Sequence, residues 1–260
     1  LGLIAWKKRK RIGKPKVISL LPKKAFCIYT SSTNLTASIF HVFLACNFHP
    51  SFYFFLPLMI TLLIGSNNPH KAQEIGEILA GGDFPARILL PSEARGFPTE
   101  IAETGASLEE NAYIKAHAIF SQTLRACVAD DTGLEVDALG GAPGVRSARY
   151  AGERSSDAEN RAKLLEALRG VPEEERGAQF RTVVCYIDAF RTAFAEGVAR
   201  GRIAESERGT GGFGYDALFI PEGETRTFAE MSADEKHRLS HRGRSLAALV
   251  ELLRGYHAGE

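Results

Sequence analysis

The feature that most limits what this chain can fold into is a break in its charge at residue 58. Residues 1–58 contain no Asp or Glu but nine basic residues, seven Lys and two Arg. Of the chain's 32 basic residues this leaves 23 for residues 59–260, against all 31 acids, a net charge of −8. Basic usage also inverts, to nineteen Arg and four Lys in the second segment. An acid-free stretch has no carboxylates with which to pair its own cations, so the two segments are read as separate objects.

Met59 opens an apolar run, Ile60 to Ile64, and reads as the native start, with residues 1–58 a leader outside the folded body. A transit peptide, also basic and poor in acids, is the competing reading. A membrane anchor over residues 35–64 is disfavoured, because His41, Asn47, His49, Pro50 and Pro57 interrupt the run of about 20 apolar residues that a span needs. The expected location is therefore the cytoplasm, or an organelle if the leader is a transit peptide. The basic run Lys7 to Arg11 is too short and common to argue for nucleic acid. Four cysteines, at 27, 46, 127 and 185, show no CxxC spacing. Cys127 and Cys185 sit in apolar runs and read as buried free thiols.

The remaining 200 or so residues suit one domain. Ile60–Ile64 reads as a buried strand, followed at once by a helix with Ala72, Ile75, Ile78 and Leu79 on one face and Gly81-Gly82 at its end. A second helix spans about 108–124 behind a capping box at Ser107 and Glu110, and feeds a strand, 126–129, that is expected to end on Asp130-Asp131. A third begins at Ser156-Asp157-Ala158-Glu159 and stops at Gly170. Runs 179–190 and 192–203 read as a hairpin, followed by a glycine-rich loop, a short strand over 217–220 and a last helix carrying Leu246, Leu249, Val250 and Leu253. Interleaved strands and helices make the class α/β with a mixed sheet.

Three places carry chemistry. Ser66-Asn67-Asn68-Pro69-His70-Lys71 joins the first strand to the first helix, where free N–H groups favour an anion. A phosphate cradle and a plain polar turn capped by Asn68 both fit it. Asp130-Asp131-Thr132-Gly133 sets two carboxylates side by side, one on each face of a strand, able to hold Mg²⁺ or orient water, with Gly133 suited to a turn. A solvated loop is the alternative. Gly211-Gly212-Phe213-Gly214-Tyr215-Asp216 offers aromatics for stacking a base, and Lys236 with Ser240-His241-Arg242-Gly243 adds cations to a net-acidic segment. Three of the four lysines of residues 59–260, Lys71, Lys115 and Lys236, fall in these places or in the second helix.

Together these stretches resemble the inosine/xanthosine triphosphate pyrophosphatase family over nearly all of 59–260. The resembling stretches, in order, are Ser66 to Lys71; Glu103-Thr104-Gly105 with Glu109-Glu110-Asn111-Ala112 and Lys115-Ala116; Ala129 to Leu139; Gly141 to Val145 with Ser147-Ala148-Arg149-Tyr150; Gly209 to Asp216; and Ser240 to Gly243. Ser66-Asn67 stands where many members have Thr-Gly, and Thr132 where many have Ser. The resemblance implies an elongated mixed β-sheet with flanking helices, two lobes around a central cleft, and a homodimer. It implies Mg²⁺, with Asp131 as general base or metal carboxylate and Glu103 as a further ligand. Ser66, Asn67, Asn68, Pro69, His70, Lys71 and Thr132 would hold the phosphates. Phe213, Gly214, Tyr215, Asp216, Lys236, His241 and Arg242 would hold the nucleoside.

The implied reaction is hydrolysis of ITP, dITP or XTP to the monophosphate and pyrophosphate, with purine nucleoside triphosphates as partners and neither nucleic acid nor membrane. A 6-oxo group would accept from His241 or Arg242, whereas adenine's 6-amino group would meet donor with donor. A related pyrophosphatase for modified pyrimidines or methylated bases, or a nucleotide-binding module without turnover, are the alternatives.

Overall fold

The computed structural model describes residues 60–81 and 86–258. The expectations for the leader and for Gly82 lie outside the described residues. Among the described residues seven strands form one mixed sheet: β1 (Ile60–Ile64), β2 (Ala86–Leu89), β3 (Cys127–Val136), β4 (Pro143–Gly144), β5 (Gly177–Ile187), β6 (Thr192–Ile203) and β7 (Phe219–Pro221). The order is β2-β1-β3-β5-β6-β7, with β4 paired to β3. β1 lies parallel to β2 and β3, and the rest pair antiparallel. The helices are α1 (Pro69–Gly81), α2 (Leu108–Thr123), α3 (Asp157–Ala167), α4 (Ala233–Leu239) and α5 (His241–Ala258). None of the helices among the described residues is long and apolar enough to cross a membrane.

Caps explain where several helices start. Ser107 accepts from the N–H of Glu110, Ser156 from Glu159 and Ser232 from Glu235. At α2 the expected reciprocal half is displaced by one residue, because the Glu110 carboxylate takes the N–H of Ala106 at 2.6 Å instead. The hairpin of β5 and β6 pairs in register from Gly177 with Arg202 to Ile187 with Thr192.

The expectation that a strand ends on Asp130-Asp131 is corrected: β3 runs straight through both to Val136. Asp and Gly disfavour strands in isolation, but β5 pairs with every residue of β3 and overrides that preference. Gly133 is therefore no turn. It lies mid-strand, where a Cβ would come within 2.8 Å of the Gly144 carbonyl oxygen, so its lack of a side chain lets β4 approach. The short strand after the glycine-rich loop begins at Phe219 rather than Ala217. β2 and α4 were not foreseen.

Alternation along β3 divides the core. Val128, Leu134 and Val136 face one side, and Cys127 and Ala129 the other. The first side holds two separate clusters. One gathers Leu62, Ile64, Ile75, Val184, Leu246 and Leu249 under α1 and α5; the other gathers Leu134, Leu164, Phe180, Phe219 and Phe228 under α3 and the β7 region. Between them, on the same face, stand Asp130, Thr132 and Thr182, the two threonines joined across the β3–β5 register at 2.7 Å. Next along the sheet is Gly197, where a Cβ would lie 2.0 Å from the His241 carbonyl oxygen, so the start of α5 rests directly on the sheet. The fold is thus two apolar lobes separated by a polar seam. Cys127 and Cys185 are buried and unbridged, and burial pushes the Cys127 thiol up to about 12.

Candidate active site

β1 sends its chain to α1 and β2 on one side, while β3 lies on its other side behind α2. This is the switch point at which α/β sheets open a crevice beyond the strand ends. β3 reinforces the opening. Its edge facing β1 is paired at Cys127 and Val128, and again with β4 at Leu134 and Glu135. Asp130, Asp131 and Thr132 between these points pair in the sheet only with β5.

Ser66 to Lys71 fills the mouth of the crevice. Asn68 Oδ1 accepts from the N–H groups of His70 and Lys71 at 3.0 and 3.3 Å, so it does cap α1, whose first residue is Pro69. Asn67 reaches over to the Thr99 carbonyl at 3.2 Å, and Ser66 Oγ bonds within the turn. His70 stacks on Phe213, with ring centroids 5.7 Å apart, across the crevice. Ten of the expected residues line one cavity: Asn68, Lys71, Thr132, Phe213, Gly214, Tyr215, Asp216, Lys236, His241 and Arg242. Ser66, Asn67, Pro69 and His70 are not among its lining residues, and Asp131 and Glu103 meet Lys115 of α2 instead.

The floor is a chain of alternating charge. Asp216 accepts from Lys236 at 2.8 Å; Lys236 also meets Glu74 at 2.9 Å; Glu74 bonds Arg242; Arg242 reaches Asp130 at 3.0 Å; and Asp130 lies 3.4 Å from Lys71. On the opposite face of β3, Lys115 lies 2.8 Å from Asp131 and 3.3 Å from Glu103. The two sets feel each other across the strand: burial lowers the Lys71 ammonium, Asp130 and Asp131 pull it up, and Lys115 and Arg242 push it down. Five carboxylates and four cations leave the ensemble at −1, so it does not by itself neutralise a polyphosphate.

Burial is the largest influence on these groups. It lifts the Asp131 carboxyl above the ordinary 3.8 despite the pull of Lys115 and Lys71. Asp130 goes the other way: burial is opposed by Lys71, Arg242 and Lys115 together, and its carboxyl is held far below the carboxylate range. Its Oδ1 is buried without a hydrogen-bond partner among the described residues. His241 is buried and beside Arg242 and Lys236, so its imidazole is held well below 6.5 and is neutral at pH 7. It stacks on Phe180 at 4.5 Å.

One expectation changes here. Arg242 was expected to be free to read a base edge, but its side chain is 1% exposed and its donors are turned to Glu74, Asp130 and Thr132. The guanidinium fork is spent on welding α1, β3 and α5 together. Sequence reasoning also missed Glu74, Phe180 and Thr182, and it marked Asn111 without a role, although its amide donates to Asp131 at 3.2 Å. Glu74 had a signal: it is a carboxylate three residues after Lys71 on the helix face that carries Ile75 and Ile78.

A set of oxygen donors at a sheet opening beside an aromatic, cation-floored cavity defines a nucleotide-processing site. The sequence matches the Ham1 family over residues 62–252, and the chain belongs to that family. It is similar to the dITP/XTP pyrophosphatase of Methylococcus capsulatus, 46% identical over 201 residues that cover 76% of this chain and 98% of that protein. The dITP/XTP pyrophosphatase of Porphyromonas gingivalis is 48% identical over 195 residues, covering 75% and 98%. Among solved structures, a HAM1 protein from Coxiella burnetii superposes with a TM-score of 0.66 at 38% identity, over 75% of this chain and 99% of that one.

Proposed function

We infer that this chain hydrolyses non-standard purine nucleoside triphosphates, ITP, dITP and XTP, to the monophosphate and pyrophosphate. The observation that carries the reading is the junction at β3: a cavity walled by Phe180, Phe213, Tyr215 and His241 on one face, and a buried carboxylate with its own lysine on the other. The relatives' activity agrees with it.

The donor set fits Mg²⁺. Asp131 and Glu103 are hard oxygen ligands, and Mg²⁺ is usually held by one or two carboxylates plus substrate phosphates and water. The net −1 of the ensemble leaves a triphosphate's charge to be offset by such an ion. Bound there, Mg²⁺ supplies Lewis-acid neutralisation of phosphate oxygens. Asp131, lifted by burial, takes the proton of the water that attacks the α-phosphorus, and the bond to the β-phosphate oxygen breaks as pyrophosphate leaves. Lys71, which lines the cavity at the start of α1, supplies the cation for the phosphates.

The base lies in the aromatic cavity. Since Arg242's side chain is occupied, the 6-oxo group is read by the neutral His241 ring, which lines the cavity at the start of α5. A homodimer, implied by the resemblance, and the cytoplasmic location expected from the sequence form part of the same proposal.

Product analysis tests the reaction. ITP incubated with the protein and Mg²⁺ is expected to yield IMP and pyrophosphate in equal amounts, and EDTA is expected to stop turnover. IDP with inorganic phosphate, or unchanged activity in EDTA, would refute this mechanism.

A further inference from the structure

We propose that Asp157 and Arg161 are positioning residues that clamp the loop carrying Phe213 and thereby set the wall of the base cavity, an inference that rests on the purine reading above. Both project from one face of α3, four residues apart. Asp157 Oδ2 accepts from the Gly214 N–H at 2.7 Å, and Arg161 Nη1 donates to the Gly214 carbonyl oxygen at 2.9 Å. Both polar backbone groups of one loop residue are thus held by two side chains from an element more than fifty residues earlier in the chain. Glu207, at the start of the same loop, lies 3.1 Å from Arg161 Nε and steadies the guanidinium.

The loop needs such a hold. Gly209, Gly211 and Gly212 precede Phe213, so the backbone that aims the ring is intrinsically the freest in the region. Downstream the loop is fixed by the Tyr215 hydroxyl on the Ser147 carbonyl at 2.9 Å and by Asp216 on the Phe213 N–H at 2.8 Å. The α3 pair completes the anchorage at Gly214, directly between these points. A wall fixed before binding spares the substrate the entropy of ordering it, so the clamp acts on affinity for the base. A carboxylate that merely favoured the N-terminus of α3 would have no reason to meet Gly214.

Hydrogen exchange and kinetics on Asp157→Ala, Arg161→Ala and Asp157→Asn test the clamp. Exchange of the Gly214 amide is expected to quicken about tenfold or more in Asp157→Ala and to quicken in Arg161→Ala, because the protecting contacts open. KM for ITP is expected to rise about tenfold in both, with kcat within about twofold. Asp157→Asn keeps an acceptor oxygen and is expected to restore both readouts. Unchanged Gly214 protection in the alanine variants, or a fall in kcat at constant KM, would overturn the proposal. If Asp157→Ala fails to fold, Arg161→Ala and Asp157→Asn carry the same comparison. A wild-type protein without ITP turnover defeats the functional reading instead, and the exchange data still judge the clamp.

Discussion

Asp131→Asn is expected to lower kcat for ITP by about a hundredfold or more while leaving KM within a few fold. The amide keeps the volume of the side chain, and its oxygen can still accept from Lys115 or Asn111, which reach the carboxylate at 2.8 and 3.2 Å. What it loses is the charge and the basic oxygen. The same account sets a pH dependence. A general base works only when deprotonated, so wild-type kcat should fall as the pH drops through the range in which this carboxyl takes up a proton, a range that burial raises and Mg²⁺ on the same carboxylate lowers. The asparagine variant should lack that limb in its residual activity. Near-normal kcat in the variant would move the role to Glu103 or Asp130.

Arg242→Ala is expected to damage stability and every substrate alike. The guanidinium joins Glu74 to Asp130 with 1% of its side chain exposed, so its removal takes a cation from two buried carboxylates at once and leaves Glu74 to Lys236 and Asp130 to Lys71. Breaking a buried pair from one side costs about 3–5 kcal/mol. At roughly 2–4 °C per kcal/mol for a domain of this size, Tm should drop by about 6–20 °C. Near the melting range the variant should lose ITP and ATP hydrolysis in proportion. Thermal unfolding together with kinetics on both nucleotides decides the matter: an unchanged Tm with a selective loss of ITP turnover would restore base reading to the Arg242 side chain.

Those two residues also show what was legible in the sequence and what was not. Local signals served well where local physics decides structure. Asn68 caps α1, Ser156 and Glu159 form the capping box of α3, and the β5–β6 hairpin follows its alternation. The failures are tertiary. β3 passes through Asp130-Asp131 because β5 pairs along its whole length, which local strand propensity could not reveal. α4 had a readable box at Ser232 and Glu235, but its seven residues are too short for a clear apolar period. β2 is a four-residue edge strand, too brief to stand out. Within the site, the motifs marked nearly every cavity residue, yet not its partners. Glu74 and Arg242 stand 168 residues apart, and no spacing rule connects them. The motif located the arginine; only the packed structure shows that its donors are already used.

The measurement that bears most directly on the central claim is side-by-side steady-state kinetics of the wild-type protein with ITP, XTP, ATP and GTP in Mg²⁺. The cavity places a neutral His241 beside the aromatic walls, and its ring N–H rewards a 6-oxo purine and opposes a 6-amino group. The expected result is a kcat/KM for ITP and XTP above that for ATP by roughly tenfold to a hundredfold, equivalent to about 1.4–2.8 kcal/mol of differential transition-state binding; GTP, which shares the 6-oxo group, reports on recognition of the 2-position instead. Hydrolysis of ATP as efficient as that of ITP would contradict it.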